Sequence, residues 1–267
     1  MACLSDITVY PIKSTRGIHL DQTQLQRRGL NLDRRMMLVD QNGQFITARK
    51  EPRMVLIQSE LGESGLRIGA EGNDSIDLPY EPESPALVDV TVWSDQVVAY
   101  PGSEEASDWF SRFLEKDVRL VLLGPKSERK LDATFDVTFV DKFPLLILST
   151  ASLADLNRRL KEQGEEPVDM DHFRPNLVVD GVEPFEEDNW KTIEINGLKF
   201  QSGGPCARCN LVNVDPTSAH VSENGQPLRT LATYRNQDGK VMFGSNFIPL
   251  DAGELKVGMD IKVIEKK

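Results

Sequence analysis

The sequence predicts a mixed, β-dominated α+β fold with a few helices inserted between groups of strands. Short β-prone runs recur along the chain and are separated by Gly, Asn, Asp and Pro, a pattern typical of strands joined by turns. Only a few segments show the 3.6-residue period of an amphipathic helix. Because these segments do not alternate regularly with the strands, a doubly wound sheet is disfavoured.

The first half is predicted to be a barrel or sandwich of short strands. Residues 5–12 (SDITVYPI) alternate apolar and polar side chains. Within residues 36–48 (MMLVDQNGQFITA), the pair Asn42-Gly43 separates two strand-like runs and predicts a hairpin. Further strands are expected at 53–61 (RMVLIQSEL), 65–70 (GLRIGA), 89–93 (DVTVW), 96–101 (QVVAYP) and 118–124 (VRLVLLG).

A helix is expected within residues 102–117 (GSEEASDWFSRFLEKD), with Ser103 as its N-cap. Its apolar side chains stand at i, i+3, i+4 and i+7, namely Ala106, Trp109, Phe110 and Phe113. The acidic stretch 125–141 is typical of a connection. We therefore expect two parts: an N-terminal β-rich, barrel-like part, residues 1–124, and a second part, residues 125–267.

The second part is predicted to combine buried strands, hairpins and two helices. Residues 144–164 (PLLILSTASLADLNRRLKEQG) predict a strand followed by a helix capped at Ser149 or Thr150 and ended by Gly164. Asn196-Gly197 predicts a hairpin. Also expected are a strand at 173–179 (FRPNLVV), a strand-like run at 210–215 (NLVNVD), a short helix at 227–235 (PLRTLATYR), and strands at 240–250 (KVMFGSNFIPL) and 253–265 (GELKVGMDIKVIE).

The composition of the chain argues against several classes of function. The 267 residues carry a formal net charge of −11, which argues against a broad nucleic-acid surface, because binding phosphates needs clustered cations. No apolar run reaches the roughly 18 residues of a membrane helix, and the N-terminus lacks a signal-peptide pattern, so we expect neither membrane association nor export. Three cysteines cannot build a disulfide framework, and we expect a reducing, cytoplasmic setting.

Two of the three cysteines, Cys206 and Cys209, stand close together in the segment GGPCARCNLVNVDP. A zinc site would need two further ligands, and the other candidates are scattered: Cys3, His19, His172 and His220. A thioredoxin-like pair would precede a helix, whereas a strand is expected after Cys209. Two small buried residues, or one thiolate that binds a soft metal held elsewhere, remain open on spacing alone.

Basic and polar side chains accompany three of the predicted strands. They are Lys13 and Ser14 (in YPIKSTRG), Arg34 and Arg35 (in LDRRMMLVD), and Arg174 and Asn176 (in HFRPNLVV). Arg174 and Asn176 alternate along a segment predicted to be extended, which would place both on one face. Each residue alone is typical of a solvated surface group. Together they suit a local pocket for one small anion in an otherwise acidic protein.

A series of motifs in this order gives the chain a family resemblance: VYPIKS, LDRRMMLVD with FITARKEPRMVLI, LLILSTASLADLN, FRPNLVV, PCARCNLVNVDP, PLRTLATYR and VMFGSNF. The ordered set covers nearly the whole chain. It resembles the MOSC-domain family, and within it the two-part members, the bacterial YcbX-like proteins and the mitochondrial amidoxime reducing components. The resemblance implies an N-terminal β-barrel part packed on a MOSC β-barrel domain.

The same resemblance implies a molybdenum cofactor, molybdenum–molybdopterin, in a cleft between the two parts. It assigns Lys13, Ser14 and Arg34 to the phosphate end, Arg174 and Asn176 to the pterin, and Ala207 and Arg208 to the wall beside the metal. Cys209 matches the family's molybdenum ligand and is the expected catalytic residue. Cys206 matches a position that does not bind metal, and Asn246 departs from the aromatic residue of the mitochondrial relatives.

The reaction implied is two-electron reduction of N-hydroxylated compounds, such as amidoximes, hydroxylamines and N-hydroxylated base analogues. Three cysteines cannot bind a four-thiolate iron–sulfur cluster, so electrons are expected from a separate reductase or electron-transfer protein. The alternative is a carrier of sulfur or of molybdenum cofactor without reductase activity. Asp215 is considered for proton delivery, although an Asp-Pro turn is its more ordinary interpretation.

Overall fold

A computed structural model, which describes residues 1–267, shows a β-rich chain of nineteen strands, three α-helices and four short 3₁₀ helices. The strands before residue 125 are β1 (Cys3–Val9), β2 (Ile18–Leu20), β3 (Gln22–Gln26), β4 (Gly29–Leu30), β5 (Met36–Val39), β6 (Gln58–Leu61), β7 (Gly65–Gly69), β8 (Ile76–Pro79), β9 (Val88–Val92), β10 (Asp95–Pro101) and β11 (Arg119–Leu122). The predicted β-dominated α+β class is confirmed.

The later strands are β12 (Leu145–Ser149), β13 (Leu177–Asp180), β14 (Trp190–Ile195), β15 (Leu198–Ala207), β16 (Asn236–Gln237), β17 (Lys240–Pro249), β18 (Gly253–Lys256) and β19 (Ile261–Lys266). The helices are α1 (Glu104–Leu114), α2 (Thr150–Glu162) and α3 (Leu228–Ala232). The 3₁₀ helices are Pro52–Leu56, Met170–His172, Glu186–Asn189 and Asn210–Asn213. No helix of the chain is both long enough and apolar enough to cross a membrane.

One nine-stranded sheet joins the two ends of the sequence. Its order is β19-β14-β15-β17-β12-β13-β1-β2, with β16 paired to β17. β1 pairs antiparallel with β13, and β3 pairs antiparallel with β18. The first 30 residues therefore complete sheets built mainly by the end of the chain. The division near residue 125 stays a prediction.

The N-terminal helix forms as its sequence predicts. The Ser103 hydroxyl accepts a hydrogen bond from the backbone N–H of Ala106 at 3.1 Å, which caps α1. Its four predicted apolar side chains are all buried, and they pack in a cluster with Met36 and Leu38 of β5. Burial of this stripe stabilises the helix more than its intrinsic propensity does.

The helix of the second part begins where its sequence predicts. The Ser149 hydroxyl accepts a hydrogen bond from the backbone N–H of Ser152 at 3.0 Å. Leu156 and Leu160 lie on the buried face of α2 and are fully buried. Gly164, beyond the end of the helix, adopts a left-handed φ of +75°. The capped helix fixes the carboxyl end of β12, a strand at the centre of the large sheet.

Three local predictions differ from the structure. The turn at Asn42-Gly43 forms, with Gly43 at φ +76°, but its second arm is not a continuous strand and makes isolated bridges, Phe45 with Val39 and Gln44 with Thr91. Residues 52–56 form a 3₁₀ helix rather than a strand, because Pro52 favours the first turn of a helix. Residues 210–213 are also a 3₁₀ helix, although an apolar run of this length predicts a strand.

Candidate functional site

A cavity of about 440 Å³ opens where the first 34 residues meet residues 140–246. It is lined by all eight residues that the family resemblance assigns to the cofactor: Lys13, Ser14, Arg34, Arg174, Asn176, Ala207, Arg208 and Cys209. Arg35, grouped with them in the sequence, does not line the cavity and lies 3.8 Å from the Glu81 carboxylate. Its size lies in the range of small-molecule sites. The structure therefore brings the predicted site residues together, although they are spread over almost 200 positions of sequence.

The cavity is cationic in a protein that is acidic overall. Six of its lining residues are Lys or Arg and one, Asp141, is acidic, whereas the whole chain carries a net charge of −11. The basic residues not anticipated from the sequence are Lys142 and Lys240. Such a concentration of one sign of charge in a concave site attracts an anion of the opposite sign.

Lys13 is buried and already has partners. Its ammonium donates to the Phe139 backbone oxygen at 2.7 Å and to the Asp141 carboxylate at 2.5 Å. Burial lowers the pKa of Lys13, while the Asp141 carboxylate acts in the opposite direction. Beside it, Ser14 adopts a left-handed φ of +74°, where the chain turns away from β1. The Lys13 ammonium at this end of the cavity is held by residues 139 and 141.

Arg34 forms the centre of a buried polar network. Its guanidinium donates to the Asp33 carboxylate at 2.6 Å and to the side-chain oxygen of Asn176 at 3.1 Å. It also lies 4.3 Å from the centre of the Tyr10 ring. Asp33 is 1% exposed and accepts a second hydrogen bond from the Tyr10 backbone N–H. Burial raises the pKa of this carboxyl, and Arg34 is the counter-charge that opposes the shift.

Asn176 joins several strands as well as lining the cavity. Its amide nitrogen donates to the Thr8 backbone oxygen at 3.1 Å, and its oxygen accepts from the Leu146 N–H at 3.3 Å as well as from Arg34. Since most of its hydrogen-bonding capacity is used within the protein, Asn176 fixes Arg34 in place.

The side chain of Arg174 makes no hydrogen bond within the protein. The predicted extended segment is wrong here, since Arg174 adopts a left-handed φ of +54° and β13 begins only at Leu177. The guanidinium stacks 4.1 Å from the Tyr10 ring centre, and its buried Nη2 has no hydrogen-bond partner. Burial lowers its pKa to about 10. A bound anion would supply the missing partner.

The cysteine segment forms the opposite wall. Cys206 lies at the end of β15, and Cys209 precedes the 3₁₀ helix Asn210–Asn213. Both thiols are free and partly exposed. Arg208 donates to Cys206 Sγ at 3.2 Å and to the Phe173 backbone oxygen at 2.7 Å, while its buried Nε has no partner.

Several lining residues escaped the sequence reasoning. Asn246, set aside as a departure from the family pattern, lines the cavity and donates to the backbone oxygens of Gly204 and Pro205. Phe143 and Phe173 supply apolar walls, and Asp141 faces Lys13. The stretch 125–141 looked like a plain connection because acidic, irregular segments carry no periodic signal that would identify a cavity wall.

Asp215 stabilises a turn, which was the more ordinary of its two interpretations. Its Oδ1 accepts hydrogen bonds from the backbone N–H groups of Thr217 and Ser218 at 2.9 and 2.7 Å. These bonds, together with the two hydroxyl groups, lower its pKa against the opposing effect of burial. The carboxylate therefore caps a turn, and it does not line the cavity.

The lining residues fit a ligand with an anionic end and a soft metal. Unpartnered buried guanidinium nitrogens on Arg174 and Arg208 need an acceptor, and Cys209 offers a soft sulfur donor. No group of three or more His, Cys, Asp and Glu side chains is arranged to hold a metal ion. A metal beside Cys209 would thus take most of its ligands from a bound organic group.

Fold and site together define a β-rich protein with a cationic cavity that carries a thiol. Comparison with known proteins agrees with this class. The MOSC N-terminal beta barrel domain matches residues 1–117, and the MOSC domain matches residues 134–262. The chain belongs to the MOSC-domain family.

Individual relatives cover most of the chain. Mitochondrial amidoxime reducing component 2 of Rattus norvegicus is 34% identical over 96% of this chain and 81% of its own. Molybdenum cofactor sulfurase of Solanum lycopersicum is 33% identical over 90% of this chain but only 32% of its own. The crystal structure of the YuaD protein from Bacillus subtilis covers 98% of this chain and 94% of its own at 12% identity, with a TM-score of 0.44.

Proposed function

We propose that the protein binds a molybdenum cofactor in the 440 Å³ cavity and reduces N-hydroxylated compounds with electrons from a separate protein. One observation carries the proposal: a free thiol, Cys209, shares this cavity with six basic residues, two of which have buried nitrogens without partners. The similarity to amidoxime reducing components over 81% of their length supports the substrate class.

Different lining residues would bind different parts of the cofactor. Lys13, Ser14 and Arg34 would hold the phosphate of the molybdopterin, since charged donors bind phosphate oxygens strongly. Arg174 and Arg208 would donate to polar atoms of the pterin, and Ala207 leaves room beside it. Asn176 would act mainly by orienting Arg34. Cys209 would supply the one protein sulfur to molybdenum.

When bound, the cofactor supplies two-electron chemistry coupled to transfer of an oxygen atom. The protein's contribution is the surroundings of the reacting group. Phe143 and Met242 provide apolar surface from which water is displaced when a ligand binds. Lys142 and Lys240 add positive charge to the same lining, where an incoming substrate or electron-donating protein could be attracted.

The alternative is that the protein carries sulfur or cofactor. The similarity to molybdenum cofactor sulfurase supports this alternative. In that case a cysteine would hold sulfur transiently, and no reduction of substrate would occur. The free Cys206 thiol beside Arg208 is the feature that favours this alternative. A cytoplasmic location is proposed in either case, whereas a separate electron-donating protein belongs to the reductase alone.

The deciding experiment compares wild type with Cys209→Ala and, as the matched control, Cys206→Ala. Each protein is purified from a host that makes molybdenum cofactor, and molybdenum and pterin are measured per protein. We expect stoichiometric molybdenum in wild type and in Cys206→Ala, and a large loss in Cys209→Ala. Full occupancy of Cys209→Ala would contradict ligation by this residue.

Turnover separates the enzyme from the carrier. With reduced viologen as the electron source, wild type should reduce benzamidoxime or a hydroxylamine, and Cys209→Ala should not. Wild type that contains molybdenum but reduces no N-hydroxylated compound would favour the carrier, and wild type without molybdenum or pterin would remove both cofactor-based functions.

A further inference from the structure

Asp141 is the one acidic residue in the cavity lining, and it occupies a site made for an anion. Three groups that can donate to an anion surround its carboxylate: Lys13 and the Trp93 indole N–H donate hydrogen bonds at 2.5 and 3.3 Å, and Arg49 forms an ion pair at 3.5 Å. Although burial acts to raise it, the pKa of Asp141 is held below its usual range by Lys13 and Arg49. Three donors around one carboxylate match the needs of a phosphate group.

The surroundings of this carboxylate are rigid. Arg129 is buried and donates to the backbone oxygens of Thr138 and Val140 at 2.8 and 2.5 Å. Its guanidinium also pairs with Asp95 at 2.9 Å. These contacts fix the backbone that leads to Asp141, independently of any bond that the Asp141 side chain makes.

The donors are anchored as well. The Arg49 guanidinium stacks 4.2 Å from the centre of the Trp93 ring, and the Trp93 ring packs edge-on against Phe45 at 4.9 Å. Trp93 adopts a left-handed φ of +58° at the turn between β9 and β10, which directs a large aromatic residue to this place. A bulky residue in this conformation is strained and persists only where its surroundings hold it.

The Asp141 side chain is bonded to Lys13 but is open to solvent on its other sides. It is 63% exposed, whereas the Lys13 side chain is 6% exposed. A buried ammonium needs a counter-charge whenever no ligand is present, and an exposed carboxylate on a fixed backbone can supply one and later rotate away. Lys13 and Trp93 both contact Oδ1, whereas Arg49 lies against Oδ2, so Arg49 would still pair with the carboxylate after Oδ1 separates from Lys13 and Trp93.

We propose that Asp141 is an internal anion that neutralises Lys13 until the phosphate group of a ligand displaces it. This inference rests on the proposed function, since it takes Lys13 to be at the phosphate end of the cofactor. It makes Asp141 a specificity-determining residue. A ligand gains the Lys13 contact only if its charge competes with that of a carboxylate, so a dianionic phosphate binds and a neutral pterin does not.

The test uses apoprotein from a host that cannot make molybdenum cofactor, with inorganic phosphate as the probe. Asp141→Asn keeps the shape of the side chain but removes its charge, and it should bind phosphate about tenfold more tightly than wild type in calorimetry, because a like charge no longer competes. Asp117→Asn, an exposed substitution outside the cavity, is the control for the change in net charge and should behave as wild type.

Tryptophan fluorescence gives a second readout. Trp93 is 41% exposed, whereas Trp109 and Trp190 are buried, so a signal that follows the loss of the Asp141 contact comes from Trp93. Phosphate should change the fluorescence of wild type along the same titration curve as the heat of binding. The change should vanish in Trp93→Phe.

Three results would overturn the inference in distinguishable ways. Equal or weaker phosphate binding by Asp141→Asn would show that Asp141 positions Lys13 rather than competing for it. Phosphate that binds equally to apoprotein and to cofactor-loaded wild type would place the anion site apart from the cofactor. Molybdenum-loaded wild type whose apoprotein and Asp141→Asn variant bind no phosphate would remove the phosphate site but leave the proposed function intact.

Discussion

The cavity has two sides whose charges are satisfied differently. On the side contributed by the first 34 residues, Lys13 is bonded to Asp141, and Arg34 is bonded to Asp33 and Asn176. On the side contributed by residues 173–209, Arg174 and Arg208 each keep a buried nitrogen without a partner. The basic side chains of the first side have partners within the protein, whereas those of the second side keep unpaired nitrogens until a ligand binds.

This difference separates stability from binding. A cation whose partners are already in the protein contributes to the folded state, and removing it leaves the partner charge buried and unpaired. A cation without a partner contributes little to the folded state and gains most when a ligand arrives. We therefore expect substitutions on the first side to lower the stability of the apoprotein as well as cofactor binding, and those on the second side to lower cofactor retention with little effect on unfolding.

The largest effect is expected from Arg34→Met. It strands the Asp33 carboxylate, which is 1% exposed, and should lower the free energy of unfolding of the apoprotein by about 3 kcal/mol. Urea unfolding followed by circular dichroism measures this loss. The double variant Asp33→Asn/Arg34→Met removes the stranded charge and should recover part of the stability. If the single variant is as stable as wild type, the Asp33–Arg34 ion pair does not stabilise the fold.

Arg174→Met should show the reverse pattern. Because Arg174 Nη2 has no partner and burial disfavours the charged guanidinium, the apoprotein should lose little stability. Retention of cofactor should fall by a factor on the order of 30, about 2 kcal/mol, as expected for a hydrogen bond to a charged group. Molybdenum per protein after gel filtration measures the loss, and Arg174→Lys is the control that keeps the charge. Unchanged retention in Arg174→Met would contradict the role given to the second side.

A smaller effect should depend on pH and originate at His19. This side chain lies between Asp6 at 3.0 Å and Asp171 at 3.5 Å, and it ties β2 to the 3₁₀ helix that precedes Arg174. Hydrogen bonds to Asp171 and Asp6 raise its pKa to about 10. The pKa is raised on folding, so the contribution to stability is complete below about pH 6.5 and disappears as the pH rises to about 10.

Since His19 is about half exposed, solvent screening limits this contribution to roughly 1 kcal/mol. Thermal unfolding of wild type and His19→Gln should differ at pH 6 and converge at pH 10, with the exposed His220→Gln as the matched control. A stability difference that grows with pH would have the wrong sign for this arrangement.

The smallest functional effect is expected at Asp215. Its carboxylate caps a turn and lies outside the cavity, on neither side of it. Asp215→Asn, which keeps an oxygen for the turn, should leave turnover with reduced viologen within about twofold of wild type, because general acid–base roles contribute about a hundredfold or more. A hundredfold loss of turnover in a stably folded variant would restore this residue as a proton donor.

Local features of the fold could be predicted from the sequence, because their signals lie within a few residues. The caps at Ser103 and Ser149, the apolar stripe of α1 and the Asn196-Gly197 hairpin are of this kind. The eight site residues were also found, but through the resemblance to a family rather than through spacing. Their convergence on one cavity depends on long-range strand pairing, which periodicity does not report.

The remaining features depend on contacts that no local pattern specifies. The left-handed conformation of Arg174 and the pairing of Asp141 with Lys13, 128 positions away, are set by tertiary packing. Asp141 lies in an acidic, irregular stretch that resembles any solvated loop. Its importance comes only from the buried ammonium opposite it.

The pairing of β1 with β13 has a consequence for how the chain is made. Cys3 lies opposite Asp180, so β1 leaves the ribosome roughly 10–35 s before its neighbour at ordinary rates of translation. During that interval the first strand has an unpaired hydrogen-bonding edge and an apolar face that includes Leu4 and Ile7. Nascent chains should therefore depend on chaperones. Rare codons that delay translation before β13 should lower the yield of soluble protein.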